Sequence, residues 1–113
     1  MKLYVSSFAP NPRRVTMFIA EKGIEGIETV SVDLATLENR SEAFLAKNPF
    51  GRVPVLELDD GRLLSETRAI CTWLEGHAPE PNLMGEGFDE RAFIEMTDRR
   101  VELHLFFGIA NCV

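Results

Sequence analysis

The sequence has few basic residues, few cysteines and no long apolar run, and each shortage excludes a class of function. Its 113 residues include 18 acidic and only 12 basic side chains, which gives a formal net charge of −6. Nucleic acids and anionic membrane surfaces bind basic faces, so this balance argues against both partners. No apolar run approaches the roughly 20 residues that span a bilayer.

Cysteine and histidine are too sparse and too scattered to predict a redox or metal centre. The two cysteines, Cys71 and Cys112, form no CxxC pair, and His77 and His104 have no partners at metal-ligand spacing. The N-terminal stretch Met1–Phe8 has too little apolar content for a signal peptide and is typical of a first strand. We therefore expect a cytoplasmic protein with no metal and no structural disulfide.

Hydrophobic periodicity and turn residues predict an alternation of strands and helices. The predicted strands are 2–6, 28–33, 53–58 and 62–64, and the predicted helices are 11–22, capped by Asn11, 41–46, capped by Ser41, and 65–75, capped by Ser65. A strand–helix–strand crossover followed by a hairpin gives a mixed four-stranded sheet with helices on both faces. The order β-α-β-α-β-β-α is a thioredoxin-like α/β fold.

Two local features are candidates for ligand binding. Pro54 stands at the start of a strand, where proline removes a ladder donor, so either a cis bond turns the Val53 backbone toward a ligand or Pro54 lies on an edge strand. The run Ser65–Thr67 opens a helix, whose free N–H groups and dipole suit a carboxylate. Glu66 is also compatible with a surface residue that complements the helix dipole.

These two features belong to a longer pattern that resembles the glutathione transferases. The run Asn48–Leu56, Asn-Pro-Phe-Gly-Arg-Val-Pro-Val-Leu, followed by Ser65–Ile70, Ser-Glu-Thr-Arg-Ala-Ile, is similar to the glutathione-site signature of that family. The stretch Ala9–Ile24 is similar to the first helix of bacterial and fungal members. The resemblance covers essentially the whole chain.

The resemblance implies a division of the chain into three parts. Residues 1–78 would form the thioredoxin-like glutathione-binding domain, 79–87 a linker, and 88–113 the first helix of an all-helical second domain that is otherwise missing. That helix carries many apolar side chains, which later helices would cover in a longer member. We therefore expect self-association of this chain, as a homodimer or another assembly.

The resemblance also assigns glutathione-binding roles by position. The Val53 backbone would pair with the glutathione cysteine beside a cis Pro54. Glu66 would hold the ammonium of the γ-glutamyl end, and Thr67, in place of the usual serine, would hold its carboxylate. The available cations for the glycine carboxylate are Arg52 and Arg68 and, ranked behind them, Lys47.

The catalytic group stays unassigned because many members carry serine or cysteine where this chain has Ala9. Ser6, Ser7 and Arg13 are the neighbouring candidates, although both serines are equally typical of a solvent-facing strand end. The chain resembles a fungal branch without the usual catalytic residue, in which groups of the second domain stabilise the thiolate. A glutaredoxin-like oxidoreductase is a rival class that the sequence disfavours, because it needs a cysteine near Ala9 and none lies there.

By resemblance, the function is that of a glutathione transferase in detoxification. The family binds glutathione as a co-substrate and stabilises its thiolate for attack on a small electrophile. We expect this chain to keep the glutathione site, while the electrophile pocket depends on the missing domain. A non-catalytic, transferase-like binding or interaction module is the alternative, since fold alone does not fix function.

Overall fold

The computed structural model describes residues 1–111. The chain divides into two compact units, Met1–Pro81 and Asn82–Val113. The first unit contains β1 (Lys2–Val5), α1 (Pro10–Lys22), β2 (Glu28–Ser31), a 3₁₀ turn (Glu38–Arg40), α2 (Glu42–Leu45), β3 (Val55–Glu57), β4 (Leu63–Ser65) and α3 (Thr67–His77). The second contains α4 (Gly87–Val101), a π-helical segment (Glu102–Phe106) and α5 (Phe107–Ala110). Cys112 lies outside the described residues.

The four strands form one mixed sheet in the order β2-β1-β3-β4. β1 runs parallel to β2 and antiparallel to β3, and β3 is antiparallel to β4. Tyr4 of β1 lies opposite Val30 of β2 on one side and Val55 of β3 on the other, which defines the register of the three strands. The predicted thioredoxin-like fold is confirmed in element order and sheet type.

The core lies on both faces of the sheet. On one face Tyr4, Phe44 and Val55 form a buried cluster, with the Tyr4 and Phe44 rings in an edge-to-face contact at 6.3 Å. Because side chains alternate along a strand, Leu3 and its partner Leu56 point to the other face, and both are fully buried. This burial fixes the register, since a slip of one residue would exchange the two faces.

Helix boundaries follow the local chemistry with two corrections to the sequence analysis. Ser41 caps α2 as predicted, through its Oγ, which accepts from the Phe44 N–H at 3.2 Å. Gly23 ends α1 at φ 66°. The predicted cap Asn11 is wrong, because α1 begins at Pro10 with Ala9 as N-cap. Proline at the first helical position loses no required donor, so Pro10 starts the helix earlier.

The second correction concerns the start of α3. Ser65 was predicted as its N-cap, but Ser65 is the last residue of β4 and pairs with Val55. Glu66 takes the cap position instead. Sheet pairing therefore overrides the intrinsic preference of serine for a helix N-terminus. No helix in residues 1–111 has the length and apolar content to cross a membrane.

Candidate functional site

A braced loop leads from α2 into β3 and carries the Asn-Pro-Phe-Gly motif. Asn48 is buried, its amide donates to the Arg52 carbonyl at 2.9 Å, and its Oδ1 accepts from the Phe50 N–H at 3.2 Å. Gly51 has φ 62°, and its carbonyl accepts from Asn39 Nδ2 at 2.8 Å. Asn48, to which the sequence pattern assigns no role of its own, holds the loop's shape through its side chain.

The loop delivers Val53 and Pro54 to the start of β3. The peptide bond between them is cis, and both residues are buried. The Val53 side chain packs in the cluster with Tyr4, Phe44 and Val55. This packing anchors Val53 from the sheet side and fixes where its backbone lies.

Glu66 and Thr67 form the second part of the candidate site at the N-terminus of α3. Glu66 is exposed and has φ 72° and ψ 119°, an unfavourable region for a residue with a side chain. Its side chain does not cap the helix, so the cap residue supplies no acceptor to the first-turn N–H groups. Thr67 is buried at the first helical position. A strained, polar, uncapped helix start is an arrangement suited to an anionic group.

The three candidate cations have different surroundings. The Arg52 side chain is exposed, close in sequence to Val53. Arg68 donates to Thr72 Oγ1 at 2.7 Å along α3. Lys47 lies 3.4 Å from a Glu57 carboxylate oxygen, and its pKa is raised above 10.5 first by the Tyr4 hydroxyl and then by Glu57. Arg68 and Lys47 thus each have a side-chain partner within the protein.

An open cleft of about 640 Å³ lies where β1 and β2 end. It is lined by Ser6, Ser7, Phe8, Ala9, Ser31, Val32, Asp33, Leu34, Ala35 and Glu38. Ser6 and Ser7, both candidates from the sequence, therefore line this cleft, and Ala9 lies at its wall. Arg13 is exposed on α1, and its carbonyl accepts from Thr16 Oγ1 at 3.0 Å.

The cleft and Val53 share one packed cluster. Val32 belongs to the same buried cluster as Val53, and Ala9 and Leu34 pack against that cluster. Ala9, Val32 and Leu34 all line the cleft as well. The apolar floor of the cleft is therefore continuous with the packing that holds Val53.

The cysteine and the two histidines of the described residues lie outside the candidate site's lining. Cys71 is a buried thiol on α3, and the His77 ring stacks on Trp73 at 4.8 Å between ring centroids. His104 is exposed in the π-helical segment. Within the part of the chain that the structure describes, no three His, Cys, Asp or Glu side chains are grouped as metal ligands would be.

The second unit presents apolar side chains to solvent along its helix. Those at least half exposed are Phe88, Phe93, Val101, Leu103, Leu105 and Ile109. Arg99 is held by ion pairs with Asp98 at 2.8 Å and Glu102 at 3.3 Å, beside the start of the π-helical segment. The predicted helical pattern from about Phe88 thus continues to Ala110, with one π-helical interruption.

Known proteins and a family model match this chain over most of its length. Residues 8–77 match the model of the glutathione S-transferase N-terminal domain. Glutathione S-transferase 2 of Saccharomyces cerevisiae is 39% identical over 106 residues, which cover 93% of this chain and 46% of that protein. The chain therefore spans about half the length of the curated relatives that it matches.

Two solved structures match the fold as well as the sequence. A glutathione S-transferase domain-containing protein of Marinobacter aquaeolei superposes with a TM-score of 0.93 at 41% identity, covering 97% of this chain and 54% of that one. A glutathione transferase homologue from Sulfitobacter with bound glutathione has a TM-score of 0.81 at 30% identity, covering 88% and 47% respectively. On its sequence, its fold and these matches, the chain belongs to the glutathione S-transferase family, of which it contains the thioredoxin-like N-terminal domain.

Proposed function

We propose that this chain forms the glutathione-binding half of a glutathione transferase, with glutathione as its co-substrate. The observation that carries the proposal is the start of α3, where Glu66 adopts φ 72° beside the buried Thr67. A strained backbone persists where the surrounding structure enforces it, and such positions cluster at ligand-binding sites. The related Sulfitobacter structure with bound glutathione supports the choice of ligand.

Each end of glutathione has a proposed partner in the chain. The Glu66 carboxylate pairs with the γ-glutamyl ammonium, and the Thr67 hydroxyl and helix-start N–H bind the adjoining carboxylate. The Val53 backbone, beside Pro54, pairs with the cysteine residue. Arg52 takes the glycine carboxylate, while Arg68 and Lys47 keep their contacts with Thr72 and Glu57.

The proposed reaction joins the glutathione sulfur to a small electrophile. The thiol releases its proton to solvent water, a sulfur lone pair forms the new carbon–sulfur bond, and the leaving group departs with the bonding electrons. Lowering a thiol pKa from about 8.5 to about 6.5 takes roughly 2.7 kcal/mol of thiolate stabilisation. The N-terminus of α1 supplies about 0.3–2 kcal/mol of it. Ser6 and Ser7, which line the cleft, and Arg13 are the candidates in this chain for the remainder.

The wider role proposed for this site is detoxification in the cytoplasm by a homodimeric enzyme. The chain spans about half of its curated relatives, so a complete electrophile pocket and full turnover need further structure. A non-catalytic binding module is the weaker alternative. Intact Val53-Pro54 and Glu66-Thr67 motifs favour a bound ligand over a purely structural role.

Isothermal titration with glutathione tests this proposal directly. We expect saturable binding of one glutathione per chain, and a conjugation assay on the same sample should show little turnover. Oxidised dithiothreitol, which lacks the γ-glutamyl and glycine groups, serves as the control ligand and should not bind. Absence of saturable glutathione binding by the folded chain would overturn the proposed function.

A further inference from the structure

Two asparagine side chains hold the backbone of the loop that leads into Val53. Asn48 Nδ2 donates to the Arg52 carbonyl at 2.9 Å. Asn39 Nδ2, from the 3₁₀ turn, donates to the Gly51 carbonyl at 2.8 Å. The two successive carbonyls that precede Val53 are therefore each bound by a side-chain amide.

Asn48 is itself fixed on the buried side of this loop. It is 3% exposed, its N–H donates to the Phe44 carbonyl at 2.9 Å, and its Oδ1 accepts from the Phe50 N–H at 3.2 Å. Phe44 packs in the same buried cluster as Val53. Because buried polar groups keep their hydrogen-bond partners, the Arg52 carbonyl stays turned inward toward the Asn48 amide.

The direction of the Arg52 carbonyl also sets the direction of the Val53 N–H. The peptide bond between these two residues is trans. In a planar trans peptide the C=O and the N–H point in opposite directions. With the carbonyl turned toward the buried Asn48 amide, the Val53 N–H points away from that amide. This N–H belongs to the backbone that the proposed function pairs with the glutathione cysteine.

We infer that Asn48, assisted by Asn39, is a positioning residue for glutathione, which orients the Val53 N–H to donate to the carbonyl of the glutathione cysteine. The inference rests on the proposed function. Both asparagines act through the loop backbone and make no contact with the ligand themselves. A donor that is already held in place loses little conformational freedom when the ligand binds, which favours affinity.

Two analogues of glutathione isolate the hydrogen bond from the Val53 N–H. In the first, an ester replaces the cysteine–glycine amide, so the glycine N–H is lost and the cysteine carbonyl is kept. In the second, an (E)-alkene replaces the same amide, so both groups are lost. Isothermal titration of the 113-residue chain should show the alkene analogue binding roughly tenfold more weakly than the ester analogue, as for a desolvated donor left unpaired.

Variants of two asparagines assign this difference in affinity to Asn48. Asn48→Ala releases the Arg52 carbonyl, so the ester analogue should bind more weakly and the difference should shrink to less than about threefold. Asn82→Ala is the matched control, because Asn82 Oδ1 accepts from the Met84 and Gly85 N–H groups and its Nδ2 donates to the Gly85 carbonyl. It removes the same kind of brace from another loop and should leave the difference unchanged.

The ratio of the two affinities distinguishes positioning from a loss of stability. A fraction of unfolded chain lowers both apparent affinities by the same factor, so it leaves their ratio unchanged. If Asn48→Ala does not fold, Asn39→Ala takes its place, since Asn39 is only half-buried. That variant releases the Gly51 carbonyl and should narrow the difference to a smaller extent.

The outcomes separate this inference from the proposed function. If glutathione itself fails to bind the unmodified chain, the proposed function is wrong. If glutathione binds while the ester and alkene analogues bind equally, this inference is wrong and glutathione binding stands. An undiminished difference in folded Asn48→Ala, or in Asn39→Ala where the former does not fold, would also overturn it. So would an equal loss of the difference in Asn82→Ala, because the effect would then not be local to the loop.

Discussion

Glu66 shows what residue type predicts and what it leaves open. A glutamate beside a threonine at a helix start predicts a polar site, and the structure has one. The left-handed backbone at φ 72° follows from tertiary structure, because β4 holds Ser65 opposite Val55 while Thr67 is already helical. Nothing in Ser-Glu-Thr requires this conformation, and serine is by itself the better cap.

The first prediction concerns the charge of Glu66. Glu66→Ala removes the proposed partner of the glutathione ammonium and should weaken glutathione binding by about 2–5 kcal/mol, the cost of truncating one partner of a hydrogen-bonded charge pair that the bound ligand buries. Glu66→Gln keeps the size but loses the charge, so its glutathione affinity should lie between those of the unmodified chain and Glu66→Ala. Isothermal titration measures all three proteins.

Glu25→Ala is the control for this prediction, since Glu25 is an exposed carboxylate in the loop after α1. Glu38 is less suitable, because its carboxylate accepts from the Asp33 N–H. Equal glutathione affinities in Glu66→Ala and Glu25→Ala would remove the proposed γ-glutamyl site.

The second prediction concerns Gly51, the turn residue of the braced loop. A Cβ at Gly51, where φ is 62°, would lie 2.9 Å from the Asn39 backbone oxygen and 3.3 Å from Leu45 Cδ2. Gly51→Ala should therefore add a steric cost to the backbone strain of about 1–3 kcal/mol. It should also lower glutathione affinity, because the loop carries Arg52 and Val53.

Gly61→Ala is a matched control for Gly51→Ala. Gly61 also has a positive φ, 88°, but nothing lies within 4 Å of its added Cβ. Gly61→Ala should lower the free energy of unfolding by the backbone strain alone and leave glutathione binding unchanged. Urea denaturation and titration measure the two effects, and equal losses in both variants would show that the Asn39 contact is unimportant.

At the scale of elements, periodicity predicts which segments form strands and helices but places their ends less well. β3 begins at Val55 instead of Val53, because the paired residues start opposite Tyr4 and Pro54 supplies no ladder donor. β2 likewise ends at Ser31 instead of Asp33, whose side chain bonds the following loop. In both cases the residues released from the strand belong to the candidate site or its cleft.

Helices α1 and α3 are joined by a buried ion pair that sequence patterning does not reveal. The Lys22 side chain is fully buried, and its ammonium donates to Glu75 and, at 2.7 Å, to the Pro81 carbonyl. By periodicity Lys22 is only the last residue of an amphipathic helix. Its burial depends on α3 and on the chain beyond it, so only the folded chain shows it.

The third prediction is that removing Glu75 alone destabilises the fold more than replacing both Lys22 and Glu75 by apolar residues. Glu75→Ala leaves the Lys22 ammonium buried without its carboxylate and should lower the free energy of unfolding by about 3–5 kcal/mol. Lys22→Met with Glu75→Leu replaces both charges by apolar groups and should cost less than the single change. Urea denaturation compares the three proteins. A double variant less stable than Glu75→Ala would contradict this account.

At the scale of the whole molecule, topology could be predicted while the cleft could not. The right-handed crossover and the hairpin limit the sheet to few arrangements, and the family motifs select one of them. The cleft is built from residues 6–9 and 31–38, which are distant in sequence and meet only because β1 and β2 are parallel neighbours. Sequence patterning identified Ser6, Ser7 and Ala9 but gave no sign of Asp33 and Glu38 opposite them.

The last prediction concerns association of the 113-residue chain through its second unit. Phe93, Leu103 and Leu105 are each more than half exposed along that helix. Burying such side chains contributes roughly 1.5–3 kcal/mol each, a large share of a small domain's stability of about 5–15 kcal/mol. We therefore expect sedimentation equilibrium to show concentration-dependent self-association. Phe93→Gln with Leu105→Gln should weaken it, while Met17→Gln, on an exposed position of α1, should not. A chain that stays monomeric at millimolar concentration would show that solvent exposure of this helix is tolerated.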